Sequence, residues 1–340
     1  MKHSVKSYAR NNRIPWLYLT GILFLLFSAG LGIFLGSASL SVSEIADAFR
    51  NGFNASSGTR IFAYSRLPRV LASLVCGAAL AVSGAVIQGV LANRLASPSI
   101  IGVNAGAGLA VTLCTALGIY GGWQLSFFAF AGAFTAVMLV SFGAKHWGAS
   151  RGTVILMGVS MNSLLGALSD TIITFLPEVG AMSNNFKIGE FSSVTYPKLI
   201  PAMVLILTVI GILCSLHNEL DVLTLGEENA QGLGLNTSSM RTLFLLFAAV
   251  LSGCAVSLAG LLSFVGLLVP HAVRRVAGSI SGNLLGLCTL YGAAFVCLCD
   301  TLARTIFAPY EIPVGIIMAY LGAPFFLFIL VKGKGGHSRD

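Results

Sequence analysis

Charge is scarce in this sequence: Asp, Glu, Lys and Arg make up 9% of its 340 residues, where soluble domains carry roughly 25%. A chain so poor in charge cannot clothe a water-exposed surface on all sides. Other signatures are missing as well. The G-x-x-x-x-G-K-[ST] loop is absent, so the chain carries no recognisable motif for ATP. Gly232-Leu233-Gly234 lies in a polar loop without the preceding strand that a dinucleotide fingerprint requires. Neither H-E-x-x-H nor a Ser/His pair stands deep in an apolar run, which argues against an intramembrane hydrolase. The five histidines (His3, His146, His217, His271 and His337) fall at segment ends or tails, so no metal site is expected along the runs. Cys76, Cys114, Cys214, Cys254, Cys288, Cys297 and Cys299 lie within apolar runs, where cysteine behaves as a small hydrophobe.

What remains is apolar. Hydrophobic residues are 56% of the chain and the mean hydropathy is +0.88. Crossing a bilayer core takes about 20 apolar residues, and windows of that length place ten spans, at 15–36, 67–91, 98–119, 124–143, 152–176, 199–216, 242–258, 261–277, 283–305 and 312–331. Each is expected to be a helix, because lipid supplies no partner for free backbone N–H and C=O groups. The expected fold is therefore all-α: one polytopic bundle over 1–340, with no room for a separate soluble domain.

The basic residues orient it. With the N-terminus in the cytoplasm, Lys2, Lys6, Arg10, Arg13, Arg94, Lys145, Arg151, Arg241, Arg274, Arg275, Lys332, Lys334 and Arg339 fall inside. Arg50, Arg60, Arg66, Arg69, Lys187, Lys198 and Arg304 fall outside, so thirteen inner charges against seven outer ones satisfy the positive-inside rule. Ten spans return the C-terminus to the cytoplasm, leaving a basic segment at 1–14 beside anionic lipid and a tail at 332–340. The net charge of +8 is accounted for in this way, without nucleic acid.

One polar island stands out. Four of the twelve acidic residues crowd into 219–228, within a polar loop that runs over 217–241. A loop this polar between apolar spans points to a partner protein. Prolines mark interruptions: Pro68 near the start of the second span, Pro98 opening the third, Pro177 ending the fifth, Pro270 within the eighth and Pro313 beginning the tenth. Breaks of this kind persist in a membrane where protein or a water-filled cavity covers the freed backbone groups, so the pattern points to a pathway rather than an anchor. Glycines at helical spacing, such as Gly102 with Gly106, or Gly278, Gly282 and Gly286, suit close helix packing.

Gln88, Asn104, Asn162, Asp170 and Phe186 are the candidates for lining such a pathway. Asp170 and Asp300 are the only acids within the spans, and an intramembrane acid is a functional candidate by default. An ion-coupled secondary transporter using Asp170 is thus an alternative. A proton relay, however, calls for further acids or histidines at mid-depth, and Asp170 lies about 10 Å from Pro177, near the outer interface. A metal-containing solute would have to arrive already chelated, since no deep metal ligand is available.

Several blocks carry a family resemblance. The run from Arg66-Leu-Pro-Arg69 to Val-Ile-Gln88 resembles the second helix of the FecCD family, the permease subunits of ABC importers for iron-siderophores, haem and cobalamin. Also similar are Asn93-Arg-Leu-Ala-Ser-Pro98 with Ile101-Gly-Val103, and Leu225-Gly-Glu-Glu-Asn-Ala-Gln-Gly-Leu-Gly234. Phe264-Val-Gly-Leu-Leu-Val-Pro-His271 with Arg274, and Glu311-Ile-Pro-Val-Gly315 with Leu321-Gly-Ala-Pro324, complete the set. The likeness covers nearly all of 15–331. This chain departs from the family pattern at Arg94 and Ser97, where the family has Pro and an acid, at Ser263 in place of Gly, and at Phe186 in place of Trp.

The resemblance implies a type II importer of the vitamin B12 permease kind. Two identical or homologous permeases would enclose a central pathway in the cytoplasmic membrane of a bacterium or archaeon. Two ATP-binding subunits would dock inside and an extracellular substrate-binding protein outside. The chain itself would bind no cofactor, with ATP and Mg handled by the partner ATPase. The 217–241 loop would be the ATPase contact, with Gly226, Gly232 and Gly234 allowing its turns, Glu227 and Arg241 as polar contacts, and Glu228 and Leu233 beside them. Arg66, Arg69 and Arg304 would meet carboxylates of the binding protein. Iron-siderophore is the expected solute, with haem or cobalamin as alternatives.

Overall fold

The computed structural model describes residues 13–37, 40–53, 56–146 and 151–334. Lys2, His3, Lys6 and Arg10 of the expected basic segment, and His337 and Arg339 of the expected tail, lie outside the described residues. Among the described residues every regular element is helical.

Helix α1 runs over Ile14–Phe34 and α2 over Val42–Asn51. α3 spans Ser57–Val90, with one π turn at Phe62–Arg66. α4 (Val103–Ala116), α5 (Gly122–His146), α6 (Arg151–Phe175) and α7 (Pro177–Ile188) follow. α8 is Tyr196–Ser215, α9 His217–Thr224 and α10 Glu227–Gly232. The chain then forms α11 (Thr237–Ala259), α12 (Val265–Ala277), α13 (Ser281–Thr305) and α14 (Val314–Lys334).

Among the described residues, seven helices are long and apolar enough to cross a membrane: α1, α3, α5, α6, α8, α11 and α13. α4 and α14 correspond to the expected third and tenth spans, and α12 to the eighth. Two boundaries differ from expectation. The third span does not open at Pro98: residues 98–102 form a turn, and α4 begins at Val103 after Gly102 in the left-handed region. The eighth is a 13-residue helix that starts at Val265, about 20 Å long and so shorter than the bilayer core.

α3 is the axis. In its membrane window 89% of the residues are buried, packed by α13, α11, α12 and α8 along its length and by α9 at one end. Glycine sets these approaches. A methyl group at Gly77 would overlap the Gly292 carbonyl of α13, and one at Gly84 would overlap Gly266 of α12. α1 packs on α13, while α4, α5 and α6 form a second group that α5 joins to α11. α2 was not visible as an apolar run. It is a short helix fixed by a capping box, in which Ser41 accepts from the Glu44 amide and Glu44 from the Ser41 amide. That amide and the Ser41 hydroxyl hold the Glu44 carboxylate below its ordinary range.

Candidate functional site

The two ends of the bundle differ in kind. At one end, α9 and α10 make up most of the polar segment. Gly226 and Gly234 have φ of +107° and +83°, values that favour glycine. Gly232 is different: it is the last residue of helix α10 rather than a turn glycine. Glu227 and Arg241, expected to reach a partner, face one another. The Arg241 Nη2 donates to Glu227 Oε2 at 2.9 Å, Thr237 Oγ1 donates to Glu227 Oε1 at 3.4 Å, and Arg241 is 5% exposed. The pair braces α10 against α11. Among what the segment presents outward are Glu228, Asn229 and Gln231 and two large apolar side chains, Leu225 at 57% and Leu233 at 66% exposure. Leu225 opens the 225–234 block but was not among the expected contacts, although an apolar residue between Thr224 and Gly226 in a polar loop was the available signal.

α9 is mounted on the bundle by Leu220 and Leu223, both buried, with Leu220 against Gly89 of α3. Its last turn also receives a side chain from elsewhere: Arg151, the first residue of α6, donates through Nη2 to the Leu223 carbonyl at 2.8 Å.

α6 has two opposed faces. Leu156, Ser160, Ser163, Ala167, Asp170, Thr171 and Thr174 are all exposed, and their spacing of three and four puts them on one stripe. Asp170 stands at its far end, 3.9 Å from Lys187 of α7, with its side chain 76% exposed. The opposite face carries Val154, Gly158 and Ser169, all buried. There Asn162 donates through Nδ2 to the Ser99 carbonyl at 2.8 Å and the Ile100 carbonyl at 3.3 Å. Asn162 therefore clamps α6 to the 98–102 turn. Asn104 is half-buried near the start of α4.

Gln88 is held between helices at the edge of a pocket it shares with Arg94, Leu220 and Arg274. It is 3% exposed, donates through Nε2 to the Gly266 carbonyl at 2.9 Å and accepts from Arg274, which also holds the Ala85 carbonyl at 3.2 Å. It locks α3 to α12. Phe186 borders a cavity of about 240 Å³ together with Asn185, Glu190, Ser193 and Lys198.

At the opposite end from the polar segment, Arg66, Arg69 and Arg304 come together as expected, but they do not form an open rim. They are 4%, 8% and 3% exposed. Arg69 grips Asp300 through Nε and Nη2 at 3.0–3.2 Å and Glu311 through Nη1 at 2.6 Å. Arg304 pairs with Asp300 at 3.1 Å and donates to the Gly32 carbonyl at 3.1 Å. Arg66 donates to the Ile33 and Phe34 carbonyls at 3.0 and 3.1 Å, at the last turn of α1. Desolvation makes an isolated buried charge costly, so these arginines stay buried only because carboxylates and helix-end carbonyls surround them. For Glu311, burial alone pushes the carboxyl up, but the Ser37 hydroxyl and Arg69 outweigh it and hold it below its ordinary value of 4.5. The exposed surface above the cluster is the loop bearing Ile306, Phe307 and Tyr310.

The FecCD transport family matches over residues 19–332. The chain belongs to the FecCD transport family. Within it, the ABC transporter permease protein YvrB of Bacillus subtilis is 36% identical, over 97% of each chain. The Fe(3+)-citrate import system permease protein YfmD of the same organism is 35% identical, covering 98% of this chain and 99% of its own. The hemin transport system permease protein HmuU of Yersinia pestis is 33% identical, over 95% and 98%. A solved ABC transporter assigned to the metal-chelate type, in an inward-facing conformation, superposes with a TM-score of 0.80 at 30% identity, covering 94% of this chain and 99% of its own. As a FecCD member the chain is a multi-pass membrane permease of an ABC importer, and the family's members serve solutes as different as ferric citrate and hemin.

Proposed function

We propose that this permease carries an iron-siderophore or a similar metal chelate across the cytoplasmic membrane, as one of two permease copies around a shared pathway. The polar stripe of α6 carries the reading. Ser160, Ser163, Thr171 and Thr174 lie bare on a membrane-length helix that ends near Asp170 at the outer interface, and a row of hydroxyls there suits a water-filled or protein-lined space. A second copy facing this stripe would close a pathway lined by hydroxyls, wide enough for a bulky chelate. The similarity to ferric-citrate and hemin permeases supports the chelate class.

Energy enters from the end bearing 217–241, which we assign to the cytoplasm. There a separate ATPase with its own ATP and Mg docks on Leu225, Glu228 and Leu233, while Glu227 and Arg241 hold the surface in shape. At the other end the binding protein docks on the loop around Phe307 and Tyr310. Arg66, Arg69 and Arg304 serve that docking by bracing the loop and by leaving one net positive charge among five charged groups. A haem or cobalamin solute is the alternative within the same machinery. Against an Asp170-driven secondary transporter stands the exposure of Asp170 beside Lys187, which lacks the burial a relay acid needs.

The test is reconstitution in liposomes with the cognate ATPase and binding protein, followed by uptake of ferric citrate, a ferric hydroxamate, haemin and cobalamin. Uptake of a ferric chelate that requires both partners and ATP is the expected result. Uptake driven by an ion gradient without the ATPase would refute it.

A further inference from the structure

We propose that Arg151 is the positioning residue through which the 217–241 segment moves α6, and that α6 rocks as a rigid lever on the turn at Ser99–Ile100. This rests on the reading of 217–241 as the ATPase dock.

Three attachments of α6 to other elements lie on a single line. At 3.6 residues per turn, Arg151, Gly158, Asn162 and the buried Ser169 fall within about 40° of one another, on the face opposite the polar stripe. Gly158 and Asn162 together make the pivot. A methyl group at Gly158 would overlap the Ile100 carbonyl, so backbone meets backbone there, and one turn later Asn162 holds the Ser99 and Ile100 carbonyls. The seat is firm: Ser97, Pro98 and Ile101 of the turn are buried, and Pro98 packs on Gly266 of α12.

Either side of the pivot little of the helix is buried, although it packs on α4 and α5 of its own group. Only 17% of its membrane window is buried. Its far end meets α7 through the exposed Asp170–Lys187 pair at 3.9 Å. Its near end is tied by Arg151 to the Leu223 carbonyl at 2.8 Å. That carbonyl belongs to the last turn of α9, where the helix dipole favours a cation, and a guanidinium to carbonyl bond is charge-assisted. A displacement of α9 therefore pulls on the end of α6 itself. From Gly158 back to Arg151 is about 10 Å, and from Asn162 on to Thr174 about 18 Å. A shift of about 1 Å at Leu223 thus becomes nearly 2 Å at Thr174, in the opposite direction, and it sweeps the polar stripe across the pathway.

The experiment uses the complete transporter with its ATPase and binding protein in liposomes. Spin labels are placed at Thr174 and Leu302 in one sample and at Asn218, exposed on α9, and Leu302 in another. Six of the seven native cysteines are buried and the seventh is half-buried, so the introduced thiols are the accessible ones. Distances are measured without nucleotide and with ATP plus vanadate. In Arg151→Ala the ATPase should stay bound, the Asn218 distance should still respond to nucleotide, and the resting Thr174 distance should match wild type. The nucleotide-driven change at Thr174 should vanish. Arg151→Lys, which keeps one charged donor for the carbonyl, should restore part of it, and Gly158→Val should displace the resting Thr174 distance. A wild-type response at Thr174 in Arg151→Ala overturns the proposal, as does loss of ATPase binding in that variant, which would make Arg151 a mere brace. If wild type shows no response at Asn218, the docking assignment fails instead, and the two failures are thereby told apart.

Discussion

α3 and α6 are both long and apolar enough to cross a membrane, yet 89% of the α3 window is buried in protein and 17% of the α6 window. Burial alone does not explain the contrast, because α1 is also 17% buried. α1 bares Trp16, Leu19, Ile22, Leu23, Leu26 and Phe27, a face made for lipid. α6 bares Leu156, Val159, Leu164, Leu168 and Phe175 too, but it also bares a row of serines, threonines and an aspartate that α1 lacks. The lesson is that exposure separates scaffold from surface, and the chemistry of the bared face then separates a lipid contact from a wall of the pathway.

The comparison is broken most severely at the scaffold's charged end. Asp300→Ala would leave the Arg69 and Arg304 guanidinia buried without their shared carboxylate, a loss of about 3–5 kcal/mol. The folded yield in detergent and the thermal midpoint should fall sharply, and Asp300→Glu should recover part of the loss. Gly84→Leu comes next. It drives a side chain into the Gly266 backbone, an overpacking that costs roughly 1–3 kcal/mol, read as a lower thermal midpoint. On α6 the outcome inverts. Ser160→Leu with Ser163→Leu should change stability by no more than about 0.5 kcal/mol yet abolish uptake by the reconstituted importer. A stability loss there equal to that of Gly84→Leu would erase the distinction between the two helices. The smallest effect concerns pH. Glu311 has its folded value held below 4.5, so its contribution is complete above pH 4.5 and is lost as pH falls through the lowered value. Thermal melts of wild type and Glu311→Gln should accordingly converge only in that acidic window.

Much of this was legible in the chain. Long apolar runs announce membrane helices because lipid leaves the backbone no other choice, and the polar segment at 217–241 was conspicuous against them. Short elements were less legible: α2 rests on a capping box rather than on apolar length, and the 98–102 turn hides inside an apolar run behind Pro98. Glycine spacing also misled in part. Gly106 does pack on Gly132, whereas Gly102 and Gly278 serve positive-φ turns, and a period of four does not separate the two uses. The partners of the charged residues were the least legible. Arg69 finds Asp300 231 positions away and Glu311 242 positions away, and no local pattern encodes that. An arginine that reads as a surface cation therefore turns out buried.

The union of α1 with α13 bears on how the protein is made. Thr20 meets Tyr291 at 2.7 Å, 271 positions along the chain, and Gly32 lies against Cys297 and Thr301. At about 5–20 residues per second of synthesis, α1 must wait in the bilayer for roughly a quarter of a minute to a minute before its partner emerges. Until then α3 holds it only at its last turn, through Arg66 and Val70, its apolar face lets the rest wait in lipid, and the arrival of α13 closes the bundle by joining segments far apart in the chain.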